Sequence, residues 1–325
     1  MEANLRWAAV TAMAPVAWGT NYFVTRGFLP PDHALYGAAF RALPAGLVLL
    51  ALSRTLPRGA WWWRSAVLGL LNVSVFFALI YIASQLLPTS VASTVMATSP
   101  LTMMLIAWPL VSERPRAAPL AGAAIGLAGV CLMLLAGTDT VNVGGVLASA
   151  AAMVMSSFGY ILAKRWSSDV DVLASTTWQL VAGGLFLLPV AAAVEGRPPA
   201  VSMPTLLAFA YVALVATALA FVAWFAGLRH LPAGTVGLIG LLNPATGVLL
   251  GTALAGEALT VHQVCGLILV LAGVALGRPV RARKRVHSVQ CRSCALSSET
   301  HRSMSSTGSR RTRKCRRTGA CSVMR

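Results

Sequence analysis

Acidic side chains are scarce in this 325-residue chain: nine aspartates and glutamates stand against 26 lysines and arginines. Charged residues of both signs make up 11% of it, whereas soluble domains carry roughly 25%. That leaves too little polar surface to cover a water-exposed globule. No GxxxxGK[ST] loop occurs, so ATP-driven chemistry within the chain is unsupported, and nothing calls for a cofactor. His-Glu-x-x-His and paired interior aspartates are also missing, which removes the usual basis for an enzyme buried in lipid. Short strands of alternating polarity are absent, excluding a membrane β-barrel.

What fills the chain instead is apolar. It is 57% hydrophobic, with a mean hydropathy of +0.73. Ten apolar spans can be drawn, at 7–25, 33–53, 65–83, 89–111, 117–137, 143–163, 173–194, 204–228, 232–256 and 261–277. Spans of about 17–25 residues match a hydrocarbon core about 30 Å thick. The expected fold is an all-α polytopic membrane protein of ten transmembrane helices. The first span lacks a small-residue cleavage site and is read as a retained helix rather than a leader.

The basic residues sort by side. With the amino terminus inside, Arg6, Arg54, Arg58, Arg64, Arg114, Arg116, Lys164, Arg165 and Arg229 fall in cytoplasmic loops, and Arg26 and Arg197 lie opposite. This bias places both termini in the cytoplasm of a cell with the protein in its inner (plasma) membrane. The sequence also matches itself at an offset of 144. Leu87-Pro88 returns as Leu231-Pro232, Pro100 as Pro244, Glu113 as Glu257, Gly122 as Gly266 and Gly129 as Gly273. Five spans per half is an odd number, so the second half enters the membrane inverted. Inverted repeats are a recurrent architecture of secondary transporters. The halves are 1–137 and 138–277.

Several short motifs follow one another in a specific order: Trp18-Gly19-Thr20-Asn21, Arg41, Ala92 with Pro100, Glu113, and Gly122 to Gly129. The second half adds Trp178, Asn243-Pro244, Gly256-Glu257 and Gly266 to Gly273. Over residues 6–277 the chain resembles the drug/metabolite transporter superfamily, specifically its EamA-type ten-helix members. The resemblance implies two five-helix halves around a central cavity and secondary transport of a small metabolite by a permease. It supplies no substrate. One departure is Ser112-Glu113, where a glycine–glutamate pair is more typical; the second copy keeps Gly256-Glu257.

Candidate substrate-binding residues are those whose chemistry is out of place in lipid. Arg41 lies within an apolar span and suits a carboxylate or phosphate; alternatively it snorkels, since Asp32 marks the span boundary about two turns away. Amino acids and related polar compounds therefore lead as small-molecule substrates for efflux. Trp18 and Tyr22 share a helix face with Asn21 beside them, either lining a cavity or forming an interfacial belt. Phe158 and Tyr160 fall where the Trp18 segment repeats after a shift of several residues, and Trp178 and Gln179 fall where Arg41 does. These too serve equally well as helix contacts. Pro100 and Pro244 each remove a backbone donor, giving a hinge or a static kink, and Asn243 can bond the carbonyls so freed. Glu113 and Glu257 are read as structural, capping the amides of the helix that follows each.

Three GxxxG segments, Gly122–Gly126, Gly247–Gly251 and Gly273–Gly277, allow close helix crossing within one chain or in a homodimer. At Arg278 the composition changes: residues 278–325 hold 14 of the 26 basic residues and one acid, Glu299. This reads as a disordered cytoplasmic tail whose Arg281–Arg285 run lies against anionic membrane lipid. Nucleic-acid binding is discounted because no aromatics interleave the charge. Cys291 and Cys294 have the spacing of a zinc ligand pair, but Cys315 and Cys321 are separated by five residues and no flanking hydrophobics would fold around a metal, so a zinc site is discounted. Cys131 and Cys265 fall within helices.

Overall fold

The computed structural model describes residues 2–28, 32–86, 95–134, 142–255 and 260–277. The basic tail, Pro88, Ala92, Asp139 and Glu257 lie outside the described residues, as do the side chains of Asn21 and Tyr22. Within residues 1–279, which form one compact unit, every regular element described is helical. The first half contains α1 (Glu2–Phe28), α2 (Ala34–Ser53), and a third span built as α3 (Trp61–Gly69), a π-turn (Leu70–Ser74) and α4 (Val75–Leu86). It ends with α5 (Ser99–Val111) and α6 (Ala117–Leu134). The second half contains α7 (Val143–Trp166), α8 (Val172–Val194), and a span built as α9 (Met203–Ala213), a π-turn (Leu214–Leu219) and α10 (Ala220–His230). It closes with α11 (Ala233–Gly240), α12 (Leu242–Ala255) and α13 (Val261–Leu276).

Five of these spans are long and apolar enough to cross a membrane, among them 61–83 and 203–230. They hold straight-chain and branched aliphatics with their backbone groups bonded internally, as lipid requires. Many large apolar side chains point outward, including Leu52, Leu105, Leu147 and Leu207. In a membrane protein that outer face is solvated by lipid.

The repeat is physical. The two π-turns begin at Leu70 and Leu214, which are 144 residues apart. The same offset governs the crossing of α6 and α13. A Cβ on Gly122 would meet the Gly273 carbonyl oxygen at 2.5 Å, and one on Gly129 would meet that of Gly266 at 2.6 Å. Gly266 and Gly273 are the repeats of Gly122 and Gly129, so each contact maps onto the other when the halves are exchanged. That is the signature of a two-fold relation. It also decides the role of the Gly122–Gly126 and Gly273–Gly277 segments, which pack helices within one chain.

The α2–α8 crossing follows the same logic with a different shift. Gly46 lies against Val181, and Gly184 against Leu43. The exchange carries 46 to 184 and 43 to 181, a shift of 138. The second half therefore holds six more residues (144 less 138) than the first between its second span and its third.

The prolines at 100 and 244 follow breaks rather than bends. Residues 97–98 form a turn before α5, and Leu241 interrupts α11 and α12. Each proline then sits in the first turn of the new helix, where its missing donor costs nothing.

Gly273→Leu should force the α6 and α13 backbones apart and sharply reduce monodisperse protein in fluorescence-detected size exclusion, since overpacking a tight core costs ~1–3 kcal/mol or more. Gly37→Ala, with open space around it, should leave the elution profile unchanged.

Candidate functional site

A cavity of about 260 Å³ lies where the interrupted helices converge. Its walls are largely paired positions of the two halves. Both members of the pairs Phe77 and Phe221, Ile80 and Trp224, Met96 and Gly240, and Ser99 and Asn243 line it, each pair 144 apart in sequence. Trp18 and Ser156 are related by the 138 shift. The cavity thus straddles the axis that relates the halves, the usual position of a binding site in inverted-repeat carriers. It gathers the segments just past both π-turns and both helix breaks, where the regular backbone ladder is disturbed.

Four of the residues singled out from sequence meet there: Trp18, Arg41, Tyr160 and Asn243, with Pro244 beside them. Arg41 is held by the π-turn of the opposite half. Its Nε donates to Thr217 Oγ1 at 2.9 Å and an Nη donates to the Ala216 carbonyl at 3.2 Å. Its guanidinium carbon stands 4.9 Å from the Phe77 ring centre. Trp18 Nε1 donates to the same Ala216 carbonyl at 3.1 Å. A π-turn spreads the helix ladder and presents its carbonyls to neighbouring side chains, which is why such turns recur at functional sites. Trp18 packs on Trp224 and Phe221, and Tyr160 stands edge-on to Trp224. The Nε1 of Trp224 and Oδ1 of Asn243 are buried without hydrogen-bond partners among the described residues.

The other expectations fall elsewhere. Under the 138 shift Arg41 corresponds to Gln179, and the joint is conserved in form: Gln179 Oε1 accepts from Asn72 Nδ2, within the other π-turn, at 2.9 Å. Yet Gln179 is fully buried and does not reach the cavity. Gly159 and Gly183 let their helices close directly over Asn72 and Val73 and seal that joint. Trp178 is likewise away from the cavity, donating to the Thr55 carbonyl at 2.8 Å and packing on Trp61. Phe158 is 38% exposed and faces outward, because it lies two residues, about 200°, around the helix from Tyr160. Pro100 is buried against Gly237 rather than in the cavity wall.

Glu113 requires a correction of partner. It caps no helix of its own half: its Oε2 accepts from Ala233 N at 2.7 Å, at the start of α11. The same carboxylate pairs with Lys164, whose Nζ donates to the Leu231 carbonyl at 2.6 Å. The left-handed turn at Ser112, φ 58°, redirects the chain at this point, and it favours glycine. The aromatic wall formed by Phe76, Phe77, Phe221 and Trp224, and the anchor Thr217, are absent from the sequence reading. The identity of Phe77 with Phe221 at the 144 offset is the signal that would have found two of them.

Residues 5–135 and 143–277 each match the EamA-like transporter family. The chain belongs to that family. This EamA-like protein is 33% identical over 288 residues to Protein PecM of Dickeya dadantii, covering 87% of this chain and 97% of that one. It is 29% identical to the uncharacterized inner membrane transporter YedA of Escherichia coli K12, covering 80% and 87%. It is 27% identical to a probable amino-acid metabolite efflux pump of Salmonella typhimurium, covering 83% and 95%. A solved crystal structure shares the fold at a TM-score of 0.71 and 22% identity, over 83% of this chain and 96% of that one. The chain is accordingly a multi-pass membrane transporter.

Gln179→Leu should strand the Asn72 amide and lower stability by ~1–3 kcal/mol, the cost of an unsatisfied buried polar group. The double variant Asn72→Leu/Gln179→Leu should recover most of that loss in thermal unfolding in detergent.

Proposed function

We propose that this EamA-like transporter exports small carboxylate-bearing metabolites, amino acids and related polar compounds first among them, by alternating access. The carrying observation is the Arg41 guanidinium in the wall of a cavity that straddles the two-fold relation of the halves. Arginine stays charged and presents donors in a planar fork suited to a carboxylate. The surrounding aromatic rings offer apolar area for the rest of a small molecule. Trp18, Tyr160 and Asn243 complete the substrate-binding set, and Asn21 and Tyr22 join it from the sequence, since Tyr22 is the 138-shift counterpart of Tyr160. The helix breaks before Pro100 and Pro244 serve as hinges. Both termini face the cytoplasm of the inner membrane, by the distribution of lysine and arginine.

The ion pair of Glu113 with Lys164, together with the Ala233 amide and Leu231 carbonyl, ties the first half to the second at one end of the bundle. In an alternating-access cycle that cluster is the closure of one face, and it opens when the other face closes. Desolvated pairs of this kind leave an uncompensated charge when one partner is removed.

Cells carrying the wild-type protein should release amino acids faster than cells without it, as read by mass spectrometry of the medium. Arg41→Ala should abolish the difference while membrane expression stays normal; unaltered release by that variant removes Arg41 from the site. Separately, Lys164→Met should raise the labelling rate of a cysteine placed at Ser167 by a membrane-impermeant maleimide, reporting an opened face. An unchanged labelling rate would discard the closure role.

A further inference from the structure

At the end of the bundle where α2 finishes and α3 starts lies a second cluster that the cavity does not use. Arg64, in the first turn of α3, is half-buried among three tryptophans. Its guanidinium carbon stands 5.7 Å from the ring centres of Trp61 and Trp63 and 5.5 Å from that of Trp166. The rings are themselves braced. Trp63 meets Trp166 edge-on at 5.1 Å, and Trp61 packs on Trp178 at 5.4 Å. The arginine is therefore held in place by packing rather than by hydrogen bonds. Among the described residues its Nε is buried without an acceptor, and no ion pair reaches it.

The surroundings define what would complete it. Arg54, Arg58 and Arg165 are exposed near the same end, and none of them meets a carboxylate among the described residues. The start of α3 carries no side-chain cap, so the positive end of that helix adds to the field. Trp62 and Trp63 are 63% and 53% exposed, on a span that crosses the membrane. Tryptophans so placed sit at the level of the lipid headgroups, with an apolar body and one polar edge. An anion meeting Arg64 there arrives with acyl chains that cover Trp62 and Trp63.

We propose that Arg64, Trp61, Trp63 and Trp166 form a binding site for the phosphate of an anionic phospholipid. A phosphate offers the guanidinium two coplanar acceptors, matching its fork. Phosphatidylglycerol suits the site better than phosphatidylcholine, whose choline cation would meet Arg58 and Arg165. The site is separate from the cavity and stands whether or not the transport reading does.

The test uses the purified full-length chain in detergent, melted with phosphatidylglycerol, phosphatidylcholine or inorganic phosphate. The expected result is a rise in melting temperature with phosphatidylglycerol alone, lost in Arg64→Gln and kept in Arg58→Gln. The proposal is overturned if Arg64→Gln keeps the wild-type rise, if the wild type shows none, or if inorganic phosphate reproduces it and so marks a site for a soluble anion. Should Arg64→Gln fail to fold, Arg64→Lys decides by native mass spectrometry: reduced retention of phosphatidylglycerol supports the bidentate site, and wild-type retention overturns it.

Discussion

Lipid tails are as apolar as leucine, so no hydrophobic force presses one membrane helix against the next, and association depends on how closely backbones can approach. In this protein that approach occurs at glycines. Gly122 and Gly129 of α6 meet Gly273 and Gly266 of α13, while Gly46 and Gly184 admit the α2–α8 crossing. Because each contact has its exchanged twin, the two crossings fix the halves about one axis. Everything placed near that axis, including the cavity, inherits its geometry from them.

The interior of such a bundle has to satisfy its backbone without water. Regular helix does so by itself but offers nothing to a polar ligand. The third span of each half departs from it with a π-turn, and the fourth with a break followed by proline. Near one π-turn, the Ala216 carbonyl takes donors from both Trp18 and Arg41, so the irregular backbone positions the cavity's charge. At the other, Asn72 engages Gln179 inside a closed joint. Both halves carry the same device; in one it forms a cavity wall and in the other a brace.

The architecture was legible because lipid imposes crude, strong rules. Run length gave the spans, and the spacing of glycines, prolines and glutamates gave the repeat. The site was legible in part. Arg41 and Trp18 stood out as residues out of place in lipid, and they do meet at the cavity. Phe158 and Tyr160 look alike in sequence, yet the helix turns one outward and the other inward. Trp178 and Gln179 were matched correctly to the Arg41 region, but the match carried no information about which joint stays open. Glu113 was recognised as a capping group, and its target, 120 residues away, was beyond any local argument.

By itself, then, the sequence determined the helical class, the inverted repeat, the family and the residue types available for a polar site. The class, the repeat and the residue types follow from composition and periodicity, and the family from the order of short motifs, all of which are properties of the chain read along its length. Only the tertiary structure decided which of two equivalent joints faces the cavity, that the repeat register slips from 138 to 144, and that Lys164 rather than a neighbouring loop answers Glu113. Those outcomes depend on the distances between helices, and such distances are set by backbone contacts between glycines far apart in sequence.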